Sequence, residues 1–456
     1  MSAGGTATAA GEHGAASASG RIGLVPCLAF AVGTMVGGGV FTLSGTALNE
    51  AGPAAIVSYV MAGVVMLLSA LCFVAISSRA APGDSGYGPV GTILSPAFRF
   101  VTMWGFYVNG LTLLTFLVVS FGQYLNQYFV PGLGVAAAGL LAMALLVGLN
   151  LGPTDLVGRA ETYVVAVKVA LLLFFIVWGL TAIGAAHLTP FAPHGARGVV
   201  QASALLFTAY TGFNVVTNMA ASVRRPERTV PIAVVGSVLI SGVIYVGVVL
   251  AMLASGVTHF GPAGVSEAAQ ALMGDWGAYL IAFAACLSTL SGANANVLGT
   301  SEIMLRMVAQ GDAPPAAGRT AANGHPYISV LLIASVTVVL VLFSNVNNIV
   351  IYANVGALVA MIVVDIAALR LALRGWPGVG MRLPGGPVIP IVALLTTLIQ
   401  FPSLGWPQSG IGLLLVAAGL ALYGTRHWKG LGAGAVEEVR SAVRTAATPL
   451  GRALHL

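Results

Sequence analysis

Apolar residues run along this chain in long, nearly continuous stretches. They show neither the strict alternation of a half-buried strand nor the single stripe of a soluble helix. A helix needs about 20 mostly apolar residues to cross a bilayer. Stretches of that kind lie at 22–48, 53–78, 98–124, 133–152, 161–183 and 199–222. Six more lie at 231–254, 277–300, 327–343, 346–369, 388–403 and 409–426. Segments rich in Gly, Pro and Arg separate most of them, as in Gly152-Pro153-Thr154-Asp155 and Leu383-Pro384-Gly385-Gly386-Pro387. The pattern predicts an all-α integral membrane protein, with twelve transmembrane helices over residues 21–426 and both tails on one side.

Composition narrows the class. Of 456 residues, 58% are hydrophobic and 7% charged, against about a quarter charged in a soluble domain. Too few polar residues exist to cover a water-soluble core, which excludes most soluble enzymes, nucleic-acid binders and disordered regulators. Seventeen of the 19 Lys and Arg fall in the tails or in loops on the terminal side, and the opposite loops hold only Arg197. Positive loops stay in the cytoplasm, so a multi-pass cell-membrane protein with cytoplasmic termini is expected. The basic charge then belongs to topology, not to a nucleic-acid partner.

Several features carry bland readings. Residues 1–20, mostly Ala, Gly and Ser, read as a disordered cytoplasmic tail. In the second tail, 427–456, Val436, Val439 and Val443 share a helical face, as in an amphipathic helix on the inner leaflet or a solvated one. Cys27, Cys72 and Cys286 each sit inside an apolar stretch, which argues against a disulfide framework or a thiolate metal site. His187, His194 and His259 fall in outer loops without a ligand constellation, so no metal or cofactor is expected. Asp365, five residues before Arg370, reads as interfacial.

Two stretches are unusual. The first contains Gly33-Thr34-Met35-Val36-Gly37-Gly38-Gly39-Val40-Phe41, with three consecutive glycines at membrane depth. The sixth contains Phe207-Thr208-Ala209-Tyr210-Thr211-Gly212-Phe213-Asn214, polar for a lipid-facing helix. Glycine weakens a helix by about 1 kcal/mol relative to Ala, so the run favours an unwound turn. Backbone groups freed there need partners, and a bound zwitterion can supply them. Close helix packing through Gly33 and Gly37 is the simpler explanation for one glycine-rich helix alone. Interruptions in stretches 1 and 6, however, occupy corresponding positions if 1–5 and 6–10 are inverted five-helix repeats, with two helices added.

These segments resemble the amino acid–polyamine–organocation superfamily of secondary transporters. The first stretch is similar to its G-x-x-x-G-x-G-[IV]-F motif, and the sixth to its F-[FW]-A-[YF]-x-G-F motif. Arg225-Pro226-Glu227-Arg228-Thr229-Val230-Pro231 follows as in the family's loop. Asn294-Ala295-Asn296 through Arg306-Met307-Val308-Ala309-Gln310-Gly311-Asp312-Ala313-Pro314 resembles the region ending M-A-[Rx]-D-G-x-x-P. The resemblance implies a substrate carboxylate on the amides of Gly37, Gly38 and Gly39. It implies an ammonium on carbonyls near Met35 and Val36 and on those of Thr208, Ala209 and Thr211. Tyr107, Asn109, Asn294, Tyr352 and Asn354 are the polar candidates for the side-chain pocket. Two departures stand out. The aromatic lid of many relatives falls at Thr208, leaving Phe207 or Tyr210 to replace it, and the usual acidic pair is Ala221-Ser222.

Lys168 lies about 10 Å inside the fifth stretch at 1.5 Å per residue. A charged lysine in hydrocarbon costs roughly 2.5–3.5 kcal/mol or more, so it needs a reason to persist. Proton carriage and snorkelling to the interface are both open from the residues alone. Some bacterial relatives carry a fifth-span lysine in a matching K-V-x-x-L context, which implies that Lys168 carries the coupled proton, with Thr289 or Ser291 as neighbours. The leading expectation is an amino acid transporter using proton symport and alternating access. The alternatives are an exchanger or polyamine carrier of the same fold with Lys168 structural, or, less favoured, a membrane enzyme. No catalytic set or nucleotide-binding loop is present to support an enzyme or a primary pump.

Overall fold

In a hydrocarbon solvent every backbone N–H and C=O must be satisfied within the chain, which selects helix over isolated strand. The computed structural model describes residues 22–80, 86–151, 155–213, 216–217, 223–321, 326–343 and 346–431. Among them the structure is helical, and one β-bridge pairs Ile22 with Val223. The first stretch forms two helices, α1 (Leu24–Met35) and α2 (Gly38–Ala51). There follow α3 (Ala55–Ser77), the short α4 (Gly88–Ile93), α5 (Pro96–Tyr124), α6 (Val135–Leu151) and α7 (Asp155–Leu180). Next, α8 (Gly195–Leu206) runs into a 3-10 turn, Phe207–Tyr210. The rest are α9 (Pro226–Ala254), α10 (Gly264–Met273), α11 (Asp275–Ala309), α12 (Tyr327–Phe343), α13 (Val346–Leu373), α14 (Val388–Ser403) and α15 (Trp406–Leu431).

Among the described residues, six helical segments are long and apolar enough to cross a membrane: Gly38–Ser77, Pro96–Phe129, Tyr163–Leu180, Pro226–Ala254, Asp275–Ala309 and Asn348–Leu373. The first of these covers two apolar stretches and bends at Gly52, whose φ is +61°. Shorter apolar helices, Leu24–Met35, Val135–Leu151, Tyr327–Phe343, Val388–Ser403 and Ser409–Thr425, lie at other expected stretches. Helix α10 falls in a segment that the pattern treated as loop, because only Val265, Ala268, Ala269 and neighbours on one face are buried. The tails at 1–20 and 432–456, residues 152–154, and Asn214 and Ala221-Ser222 lie outside the described residues.

Helix α5 occupies the centre, packed against α6, α11, α13 and α15. Buried positions surround it on every side, Leu114, Phe116 and Val118 among them. The periphery is the reverse of a soluble protein, with Val243, Val177 and Ile399 exposed by 74%, 64% and 61%. Ser and Thr face inward while aliphatic side chains face out, as a lipid solvent requires.

One expectation is overturned here. Asp365 is not interfacial: it is fully buried on α13, and Ser69 of α3 donates a 3.0 Å hydrogen bond to its Oδ2. Five residues is about 140° around a helix, so its distance from Arg370 says nothing of a shared face. Opposite burial makes opposite predictions for truncation. Phe116→Ala should destabilise the protein by about 3–5 kcal/mol, and Val243→Ala by less than about 0.5 kcal/mol. Thermal unfolding of the purified variants in one detergent measures both, and equal losses would contradict a lipid-facing α9 surface.

Candidate functional site

The break between α1 and α2 is an inverse γ-turn. Val36 has φ −74° and ψ 63°, and the Gly37 N–H donates back to Met35 O at 2.7 Å. It spans Val36 and Gly37, so Gly38 and Gly39 already belong to the first turn of α2. Interrupting a helix orphans the last carbonyls before the break, here those of Gly33, Thr34, Met35 and Val36. Three are taken by side chains from distant helices. Lys168 Nζ of α7 donates to Gly33 O at 2.8 Å, Tyr245 Oη of α9 to Met35 O at 2.6 Å, and Ser288 Oγ of α11 to Val36 O at 3.0 Å. Thr34 O has no donor among the described residues, and Thr34 lines the cleft.

The second break starts at the 3-10 turn Phe207–Tyr210. Thr211 then turns extended, with ψ 149°, and both its N–H and its Oγ1 donate to Thr208 O. The Tyr245 hydroxyl also donates to Ala209 O at 2.8 Å, so one hydrogen is shared between the two breaks. Its ring packs against Tyr59 and Tyr210, with centroids 5.3 and 5.1 Å away. The breaks touch directly as well: a Cβ on Gly39 would lie 3.2 Å from the Ala209 Cα, too tight for backbone to yield.

Between the breaks lies a partly open cleft. Helix α5 lines it with Phe106, Asn109, Gly110, Leu113 and Leu117, and α11 with Gly292, Ala295, Asn296, Gly299, Thr300 and Ile303. Both sets recur at three- and four-residue spacing, one face of each helix. Free N–H groups at the start of α2 point positive dipole ends toward this space. Among the described residues no acidic or basic side chain lines the cleft.

Lys168 does not snorkel. It is fully buried, with Nζ also 3.3 Å from Ser291 Oγ on α11. The cause is the break itself, since Gly33 O has lost its normal helical donor, the Gly37 N–H. Thr289, the other expected neighbour, donates instead to Ala285 and Cys286 carbonyls of its own helix. A discontinuous helix pair around a neutral cleft, with a buried lysine at one break, is a carrier's arrangement, and comparison with known proteins identifies the carrier class. The amino acid permease family model matches residues 27–404. The chain belongs to the amino acid permease family.

Among its relatives is the branched-chain amino acid permease BcaP of Bacillus subtilis (strain 168), 26% identical over 445 residues, or 91% of this chain and 94% of that protein. The methylthioribose transporter of the same organism is 24% identical over 424 residues, 87% of this chain and 91% of its own length. Cationic amino acid transporter 8, vacuolar, of Arabidopsis thaliana is 26% identical over 361 residues, covering 75% and 61%. These are permeases and transporters, so the chain is a membrane transporter and not an enzyme.

Within this permease the candidate residues separate. Met35, Gly37, Gly38, Gly39, Thr208, Ala209 and Thr211 line the cleft, whereas Val36 is buried behind it. Of the five side-chain candidates, only Asn109 reaches the cleft wall, donating to Ala353 O at 2.9 Å and to Thr208 Oγ1 at 3.4 Å. Asn294 accepts from Asn150 on α6, Tyr107 stacks on Trp104, and Asn354 holds Leu205 O. Tyr352 is buried away from the lining. Phe207 and Tyr210 are both buried outside the cleft, and Phe106 is the aromatic residue at its wall. Asn296, Thr300 and Phe106 were missed, although the spacing of Gly292, Asn296, Gly299 and Thr300 marks one helical face. Among the described residues no three metal-ligating side chains come together.

Removing the Tyr245 hydroxyl leaves its ring in place but strips a donor from two carbonyls at once. Tyr245→Phe should lower stability by about 1–3 kcal/mol and reduce uptake. Thermal unfolding and transport rate, measured side by side, check this, and an unchanged variant would mean that the shared bond is dispensable.

Proposed function

We propose that this permease is a secondary active transporter that imports a neutral amino acid across the cytoplasmic membrane with protons, by alternating access. The observation that carries the proposal is the joining of the two broken helices at one cleft, with Lys168 fastened to the carbonyl that the first break exposes. The substrate carboxylate binds the N–H groups of Gly38 and Gly39 in the first turn of α2. Its ammonium binds Thr34 O, because Met35 O, Val36 O and Ala209 O already have hydroxyl donors. The side chain lies against Phe106, Leu113, Leu117 and Ile303, with Asn296 and Thr300 as polar neighbours. The absence of a lining acid favours neutral substrates over the cationic class named for some relatives.

The same proposal includes a topology of twelve spans, with α1–α2 and α8 plus its 3-10 turn as broken helices 1 and 6 of two inverted five-helix repeats. Both termini are cytoplasmic, which puts the Arg-rich loops inside. Lys168 takes up the proton. A charged amine donates to both Gly33 O and Ser291 Oγ, and the neutral amine keeps two hydrogens for them but loses the charge that strengthens each bond. Loss of the proton therefore weakens the hold on the broken helix at the cytoplasmic side of the cleft.

Uptake into proteoliposomes, with an amino acid and amine panel and the pH gradient on or off, tests this. Aliphatic amino acids should accumulate only with the gradient, and lysine or putrescine should not compete. In Lys168→Ala, accumulation should fall to the no-gradient level while exchange of internal for external substrate persists. Uphill accumulation by Lys168→Ala would refute proton carriage by this residue, and uptake dependent only on internal substrate would favour an exchanger with a structural lysine.

A further inference from the structure

Away from the cleft, Asp365 is fully buried where α3, α13 and α14 meet. Its Oδ2 accepts from Ser69 Oγ at 3.0 Å and from Thr397 Oγ1 at 3.4 Å, and those two hydroxyls lie 3.2 Å apart. Cys72, one turn beyond Ser69, is also buried on α3. The other oxygen, Oδ1, has no partner among the described residues. Gln400, one turn beyond Thr397 on α14, is 1% exposed, and neither end of its amide is partnered. Buried polar groups of this kind are rare and ask for an explanation.

The charged residues around Asp365 do not supply one. Helices α3, α4 and α14 and the 3-10 turn, all near α13, contain no charged residue. Arg99 on α5 pairs with Asp312, and Arg197 on α8 lies near its N-terminal end. Arg370 follows on α13 itself, and Arg426, His427 and Lys429 stand in the last turns of α15. The remaining titratable groups of these elements are Tyr59 on α3, Tyr107 and Tyr124 on α5, Tyr352 on α13, Tyr210, and Tyr423 on α15. Among the described side chains, no charged group forms an ion pair with Asp365. An ionised carboxylate here would be a buried charge held by two hydroxyl donors, in a setting where unpaired charge is most expensive.

We propose that Asp365, held by Ser69 and Thr397, is a proton-binding site inside the helix bundle, separate from Lys168 and from the substrate cleft. The proton binds Oδ1 and makes the side chain a neutral acid, while Oδ2 keeps both hydroxyl bonds. The Gln400 amide adds an uncommitted acceptor on the face of α14 that carries Thr397. A proton fits this site because it neutralises the charge without needing an ion-sized space. Binding there joins α13, the helix facing central α5, to α3, which carries Tyr59 of the tyrosine cluster behind the breaks.

The proposal does not depend on the transport mechanism, so its test is spectroscopic. Infrared difference spectra of the purified protein in lipid are recorded against pH for wild type, Asp365→Asn, Asp365→Glu and Lys168→Ala. At neutral pH the wild type should show the C=O stretch of a protonated carboxylic acid, which vanishes on raising pH. The band should be absent from Asp365→Asn, shifted in Asp365→Glu, and unchanged in Lys168→Ala. If Asp365→Asn does not fold, the shift in Asp365→Glu alone carries the assignment. A wild-type spectrum without the band, or one that persists in Asp365→Asn or does not shift in Asp365→Glu, overturns the proposal. Loss of the band on adding sodium at fixed pH, with choline as control, also overturns it and assigns the site to sodium.

Discussion

Four carbonyls in the first helix lose their helical donors at Val36 and Gly37, in a medium that offers none of its own. The surrounding structure is arranged to answer them. An amine from α7, a phenol from α9 and a serine hydroxyl from α11 each take one, and the fourth opens on the cleft. Among the described residues the cleft is where this demand is left open. Its walls are largely apolar, and the freed backbone supplies polar groups to it.

The two breaks are also mechanically joined. Tyr245 shares one hydrogen between them, and a methyl group on Gly39 would press against Ala209 Cα at 3.2 Å. Each break would be costly alone, since unwound backbone in lipid has no water to fall back on. Facing each other, with a tyrosine cluster behind, they share donors. Their position next to central α5 lets Asn109 tie the second break to α13 through Thr208 and Ala353.

Much of this was legible in the sequence, and the parts that were not have a common cause. The glycine run, the polar sixth stretch and the intramembrane lysine all violate the local rule of their surroundings, and each sits at the site. Tyr245 violates nothing, since a tyrosine in an apolar helix has no signature until its partners, 210 and 36 residues away, are known. Asn296 and not Asn294 lines the cleft, because the rotation of α11 about its axis is set by packing and two residues is more than half a turn. Asp365 was misread for the same reason. The exposed apolar periphery and the buried hydroxyls follow directly from hydropathy, but which carbonyl meets which hydroxyl is decided by contacts between distant helices.

The fastening of Gly33 O by Lys168 differs in kind from the other two. Met35 O and Val36 O are held by hydroxyl groups. Gly33 O is held by an amine, the one basic side chain of the three. The ordinary helical donor to Gly33 O, the Gly37 N–H, is engaged with Met35 O instead. The end of the first half-helix is therefore marked by a side chain from α7 and not by the backbone of its own helix.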